Sequence, residues 1–174
     1  MAWEKHLEHW IVGLRTGWLD WFFILLSRIG TLGLVWVAIA VVLAVLRRRP
    51  SIVVAVVAAD IAADLLAELG KLIVHRHRPF ETQIGPASSA HSFPSGHSAT
   101  SFACATVLAA FAPRIRVPLF VLAALIALSR LYNGMHYPTD VVAGSLLGVA
   151  TGMLVLRALR QRGGGLRRSH QVRR

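Results

Sequence analysis

The stretch "HSFPSGHSAT", residues 91–100, is a polar turn set between long apolar runs. Ser95 precedes a charge-free segment and suits a helix N-cap, with Gly96 and His97 in the first turn. A helix start presents unpaired backbone N–H groups and the positive end of the helix dipole, which favours an anion. Glycine lets the backbone approach such a ligand closely.

The rest of the chain explains why a turn of this kind stands out. The protein has 174 residues, 55% of them hydrophobic, and a mean hydropathy of +0.58. Ile29 to Leu46 holds no charged residue, close to the length of about 20 residues that crosses a bilayer. Further apolar segments run from 51 to 74, 98 to 113, 117 to 129 and 141 to 156. The segment at 16–28 is more polar, with Asp20 and Arg28, and follows an interfacial stretch carrying Trp3, Trp10 and Trp18. This pattern predicts an all-α polytopic membrane protein, a six-helix transmembrane bundle in one domain over residues 1–160. A basic tail, mobile after Gly163-Gly164-Gly165, fills 161–174.

The net charge of +11 is concentrated at Arg47-Arg48-Arg49 and in the C-terminal arginines. Basic clusters beside hydrophobic spans mark the cytoplasmic face. They do not form the single folded basic surface that nucleic acid requires, so that partner is excluded. Six crossings place both clusters, Arg114, Arg116 and the N-terminus in the cytoplasm, and the connections near 75–95 and 130–138 outside. No cleavable leader pattern opens the chain. Cys104 stands alone, so no disulfide within the chain is possible, and it reads as a small buried apolar residue.

Three polar islands gather in the outer connections. The first is "KLIVHRHRPF" (71–80), where Lys71 and Arg78 are two helical turns apart and Pro79 ends the helix. The second is the opening stretch. The third is "SRLYNGMHYPTD" (129–140), with Arg130, His136 and Asp140. Three cations and a helix start suit a phosphate group, which arginine grips in pairs of hydrogen bonds and lysine as a point charge. Phosphoryl transfer needs charge stabilisation, a nucleophile and a proton donor, and imidazoles serve near neutral pH. Asp140 can hold His136 in one tautomer, as carboxylates do in hydrolytic triads.

Lys71-x6-Arg78-Pro79, Pro94-Ser95-Gly96-His97 and Ser129-Arg130-x5-His136-x3-Asp140, in this order, resemble the three-part signature of the type 2 phosphatidic acid phosphatase (PAP2) superfamily, in its membrane lipid phosphatase branch. The resemblance spans residues 71–140 and departs at none of the defining positions. It implies that His136 attacks phosphorus to give a phosphohistidine, that Asp140 orients it, and that His97 protonates the leaving oxygen and then activates water. It also implies that Lys71, Arg78, Ser95, Gly96 and Arg130 hold the phosphoryl oxygens. No metal and no cofactor is implied. Substrates of the resemblance are lipid phosphates or diphosphates in the cell membrane, with undecaprenyl or another polyprenyl diphosphate first. Phosphatidylglycerophosphate and phosphatidate follow. The vanadium haloperoxidases that share such a site are large and soluble, unlike this chain. A lipid transporter or flippase using only the cationic grip is the rival of another class, and it has no use for a nucleophile paired with an orienting carboxylate.

Other residues carry expectations as well. Asp60, Asp64 and Glu68 form a stripe of spacing four that includes Lys71 in its arc. It reads equally as a polar wall below the phosphate, with Glu68 pairing Lys71, or as a contact between helices or copies in a homo-oligomer. His75, Arg76 and His77 read as a solvated loop. Glu81, Gln83 and His91 are candidates for head-group contact, and His6, His9 and His170 read as solvated or interfacial.

Overall fold

The computed structural model describes the backbone of residues 2–79, 83–84 and 90–171, and side chains only as far as 161. Glu81 therefore lies outside the described residues. Among these residues the chain is helical, apart from one isolated antiparallel bridge between His77 and His91. The helices are α1 (Ala2–Gly13), α2 (Gly17–Ile29), α3 (Leu34–Arg47), α4 (Ser51–Val74), α5 (Gly96–Phe111), α6 (Arg116–Tyr132) and α7 (Pro138–Gln171). The backbone of α7 stays helical past the three glycines where a tail was expected to begin.

Helix α5 is the central post, and small residues make that possible. On α4 the fully buried positions Ala55, Ala59, Ala63 and Ala67 recur every four residues, and Lys71 continues the same ridge. On α7, Gly144, Gly148 and Gly152 repeat the spacing. A methyl group on Gly152 would stand only 2.8 Å from the Ala103 carbonyl oxygen of α5. Small residues at intervals of four let two backbones touch, the mode favoured where lipid supplies no hydrophobic drive between helices. Polar ties cross the core from Trp36 Nε1 to Ser101 Oγ at 3.3 Å and from Cys104 Sγ to Asp60 Oδ1 at 3.7 Å.

The outside of the bundle is apolar. Val45, Leu46, Ile61, Leu65, Leu72, Val117, Leu146 and Leu154 are all exposed. A surface of this kind is stable against lipid rather than water. Residues 113–132 and 138–161 are each long and apolar enough to cross a membrane, and α2 with α3, bent by 60°, form a further candidate span. Helix α4 is long enough but carries Asp60, Asp64, Glu68 and Lys71, and α5 has only 16 residues.

The N-terminus departs from the expected arrangement. Six crossings would return it to the end that holds Arg47–Arg49. Instead Glu4 of α1 meets Arg76 at 2.8 Å, and Arg15 donates to the Tyr132 carbonyl at 2.6 Å. Both partners lie at the opposite end, beside the polar islands. The amphipathic segment before residue 16 gives no sign of this placement, because its anchors, Arg76 and Thr139, are remote in sequence.

Candidate active site

The three polar islands converge on one cavity of about 450 Å³. Lys71, Arg78, Gly96, His97, Arg130 and His136 line it, as do Glu68, Asp64, Asp60 and the α2–α3 connection through Gly30, Thr31 and Gly33. Of the predicted site residues, Ser95 and Asp140 sit behind the wall, fully buried.

Each element places its residue for a local reason. Ser95 adopts extended backbone and caps α5, its hydroxyl accepting from the Ser98 amide at 3.4 Å and the Ser98 hydroxyl at 3.0 Å. The Ser95 hydroxyl is thereby engaged in capping, and Gly96 and His97 are the residues of this turn that face the cavity. The Ser95 amide donates to the Asp140 carbonyl at 3.0 Å, joining the start of α5 to the start of α7. Lys71 pairs with Glu68 at 2.5 Å, as the stripe predicted. Arg78 donates to the Met135 carbonyl at 3.0 Å, and Arg130 donates to the Ser27 hydroxyl of α2. Among the described residues Arg130 Nε is buried without a hydrogen-bond partner, in a residue that lines the cavity. A buried donor in this state is completed by an acceptor such as a phosphoryl oxygen.

The two histidines are held differently. His136 is buried, and its Nδ1 lies 2.7 Å from the Ser92 carbonyl oxygen. A carbonyl only accepts, so Nδ1 carries the proton and Nε2 has its lone pair free to accept from Arg78 Nη1 at 3.3 Å. Burial pushes the His136 pKa down to about 4, helped by Arg130 and Arg78 and opposed by Asp140. The imidazole is neutral at pH 7, with Nε2 unprotonated. The expected orienting bond is thus supplied chiefly by a backbone carbonyl, with Asp140 Oδ2 farther from Nδ1 at 3.8 Å. His97 is half-buried, and its Nε2 lies 3.4 Å from the Thr31 hydroxyl.

The PAP2 superfamily model matches residues 51–163, which include all three islands and the helices that carry them. The chain belongs to the PAP2 superfamily. Several of its relatives carry the names of lipid phosphatases. An undecaprenyl-diphosphatase of Sulfolobus acidocaldarius is 31% identical over 136 residues, which are 75% of this chain and 66% of that protein. A decaprenylphosphoryl-5-phosphoribose phosphatase of Mycobacterium tuberculosis is 37% identical over 135 residues, 75% of each chain. The crystal structure of Aquifex aeolicus LpxE superposes with a TM-score of 0.75 at 30% identity, over 88% of this chain and 94% of that one. This PAP2 chain, with its apolar helices, is a membrane protein.

The site also contains residues that sequence reasoning missed. Arg76, expected in a solvated loop, donates to Asp140 Oδ1 at 2.7 Å, to Thr139 Oγ1 at 2.6 Å and to Glu4 Oε2 at 2.8 Å. Its pairing was hidden because the partners lie more than sixty positions away on either side. Ser27, Thr31 and the Ser92 carbonyl were missed likewise. Only the apolar helix around Ser27 was legible, and its rotational setting follows from tertiary packing. His75 and His77 are exposed, as expected for a loop, while His91 packs edge-on against His75 at 5.0 Å between ring centroids.

Proposed function

We propose that this chain is an integral-membrane lipid phosphatase working through a phosphohistidine on His136. The observation that carries the reading is one cavity that unites His136, His97, three cations and the N-terminus of α5. Lys71, Arg78, Arg130 and the Gly96 amide hold the phosphoryl oxygens and neutralise the charge that grows on them. His136 Nε2 attacks phosphorus, the bond to the lipid oxygen breaks, and protonated His97 gives its proton to that oxygen. Water then attacks the phosphohistidine, His97 takes up a proton, and inorganic phosphate leaves with His136 restored. A transporter has no need for a neutral, oriented imidazole beside the anion grip.

The contacts support one membrane arrangement. Helix α1 lies at the site's end, α2 and α3 form one broken crossing, and α4 to α7 add four. Five crossings leave Arg47–Arg49 and the C-terminal arginines on the cytoplasmic side and the active site outside.

The first substrate is a polyprenyl diphosphate, the lipid on which the Sulfolobus relative acts by name. A second substrate reading, a lipid bearing a sugar phosphate, draws support from the acidic wall. Asp60, Asp64 and Glu68 face the cavity beyond the cations. Carboxylates accept from sugar hydroxyls, whereas they repel a second phosphate. The mycobacterial relative is named for a phosphoribosyl lipid. Phosphatidylglycerophosphate and phosphatidate remain outside these two observations.

Phosphate release by the detergent-solubilised protein, with chelator present, tests the reading on prenyl diphosphates, prenyl phosphoribose, phosphatidylglycerophosphate and phosphatidate. Turnover of at least one lipid is expected, together with a loss of at least about 10⁴-fold in His136→Gln, in line with removal of a nucleophile. Normal release by that variant removes the proposed chemistry.

A further inference from the structure

The side chain nearest the proposed nucleophile's orienting carboxylate is one that the PAP2 signature leaves variable. Arg76 sits between Lys71 and Arg78, in the spacing of the first island. Its guanidinium lies over the Tyr137 ring, 4.2 Å from the centroid. One edge holds Asp140 Oδ1 and Thr139 Oγ1, and the other holds Glu4 Oε2. Asp140 is fully buried and uses its second oxygen to accept the Tyr137 amide at 2.9 Å. Arg76 therefore decides where that carboxylate points: toward itself, with Oδ2 left 3.8 Å from His136 Nδ1.

The backbone of the same residue reaches His136 by a second route. The Arg76 carbonyl accepts from the Ser92 amide at 2.7 Å and from the Ser92 hydroxyl at 3.3 Å. Ser92 in turn offers the carbonyl that takes His136 Nδ1–H. Both groups that face Nδ1, the Ser92 carbonyl and the Asp140 carboxylate, are thus bonded through Arg76, with the His77 carbonyl also accepting from the Ser92 hydroxyl at 3.3 Å and the Tyr137 amide also donating to Asp140.

Arg76 is itself fixed from α1. Glu4 is fully buried and accepts from Arg76, from the Thr139 hydroxyl at 2.6 Å and from the Thr139 amide at 3.4 Å. Burial alone would raise its pKa, but these bonds and the Arg76 charge outweigh it and hold the carboxyl below its usual range. Glu4 is an anion at neutral pH, and it balances the cation that Asp140 shares.

We propose that Arg76, anchored by Glu4, is a positioning residue for His136: it sets the Asp140 carboxylate and the Ser92 carbonyl, which together fix the proton on Nδ1 and leave Nε2 to attack. This proposal rests on His136 being the nucleophile. Neither Arg76 nor Glu4 lines the cavity, so neither touches the phosphate.

The test uses the full chain in detergent, with wild type, Arg76→Gln and Glu4→Gln compared at equal melting temperature. Loss of the hydrogen-bond partner behind a metal-bound histidine costs about 10–100-fold, and the same order is expected for a histidine oriented as His136 is. Arg76→Gln is expected to lower kcat by that factor with KM changed less than about threefold. Glu4→Gln should cost less, because its amide oxygen still accepts from Arg76. The pH profile gives a readout that a purely structural role would not move. His136 faces Arg78 from the segment after α4, Arg130 from α6, His97 from α5 and Asp140 from α7. Without Arg76 the Asp140 charge falls more fully on His136 and favours imidazolium, so the acid limb of kcat/KM moves to higher pH in Arg76→Gln.

A second measurement does not depend on turnover. The ¹⁵N shifts of the His136 ring, assigned by difference from His136→Gln, report which nitrogen carries the proton. Wild type is expected to show the Nδ1–H form, and Arg76→Gln a mixture or more imidazolium at the same pH. An unchanged ring signal together with an unmoved acid limb overturns the positioning role. A wild type that releases no phosphate while its ring responds to Arg76→Gln would instead sink the phosphatase reading and keep the positioning.

Discussion

Two walls of the same cavity are built in opposite ways. The wall formed by the ends of α4, α6 and α7 holds most of its side chains by hydrogen bonds, His136 to Ser92, Arg78 to Met135 and Asp140 to Arg76 and Tyr137, with Arg130 Nε lacking a partner among the described residues. The wall formed by the α2–α3 connection and the acidic stripe is more sparsely tied, apart from Glu68 to Lys71 and Asp60 to Cys104. His97 faces it through one long contact to Thr31, and Asp64 and Glu68 are exposed. A nucleophile gains from being held in one tautomer and direction. The side that receives a leaving lipid gains from room and from a proton donor able to turn.

That contrast is open to three experiments. The largest effect is expected from His97→Gln, which should lower turnover of a lipid substrate by about 10²–10⁴-fold, the range for general acid–base catalysis. With p-nitrophenyl phosphate, whose leaving group needs no proton, the same variant should still release a burst of nitrophenol and leave phosphate trapped on His136. Rapid-quench kinetics and acid-labile labelling read this outcome. Absence of the burst would mean that His97 serves the tied wall as well.

A pH profile measures the tied wall directly. The ordinary imidazole value is 6.5, and burial with two neighbouring guanidinium groups takes His136 to about 4. A lowered value in the folded protein keeps the neutral, attacking form as pH falls, until about 4 is passed. The acid limb assigned to the free enzyme is therefore expected well below 6.5, measured with a substrate whose own ionisation is known. A limb near 6.5 would show the pocket to be wetter than its packing.

The smallest effect is expected from Thr31→Val. The Thr31–His97 contact at 3.4 Å is long for a hydrogen bond, so its loss should cost about 0.5 kcal/mol, or two- to threefold in kcat. Steady-state rates with alkyl and nitrophenyl leaving groups would place the change on the protonation step. A tenfold loss would mean that the loose wall is more organised than its contacts show.

How much of this was legible depended on sequence range. The spacing of Asp60, Asp64 and Glu68, with Lys71 in its arc, was readable as one stripe that served equally for a polar wall or a helix contact, whereas the ridge of buried alanines that Lys71 continues emerged only from the packing. The cap at Ser95 was readable because its partner, Ser98, is three residues away. Convergence of the three islands was readable from their chemistry, since three cations and two imidazoles at one membrane face have a shared ligand. Contacts spanning the chain were not readable. Nothing near Glu4 signals Thr139, and nothing near Arg130 signals Ser27. The orienting role of the Ser92 carbonyl was hidden for another reason: a backbone acceptor has no side-chain identity to read. The α2–α3 break was not readable either, because Gly30, Thr31 and Gly33 look like an ordinary connection but form part of the cavity lining.

The glycine seam of α7 links greasy depth to reaction geometry. A methyl placed on Gly144 would run into the Ser95 carbonyl oxygen, and one on Gly148 into the Ala99 carbonyl oxygen. Pushing α7 outward by the width of that methyl would carry Asp140 away from the amide of Ser95 and part the two imidazoles. The spacing of the proposed reacting groups is gauged one and two turns below them, by atoms that meet neither water nor phosphate.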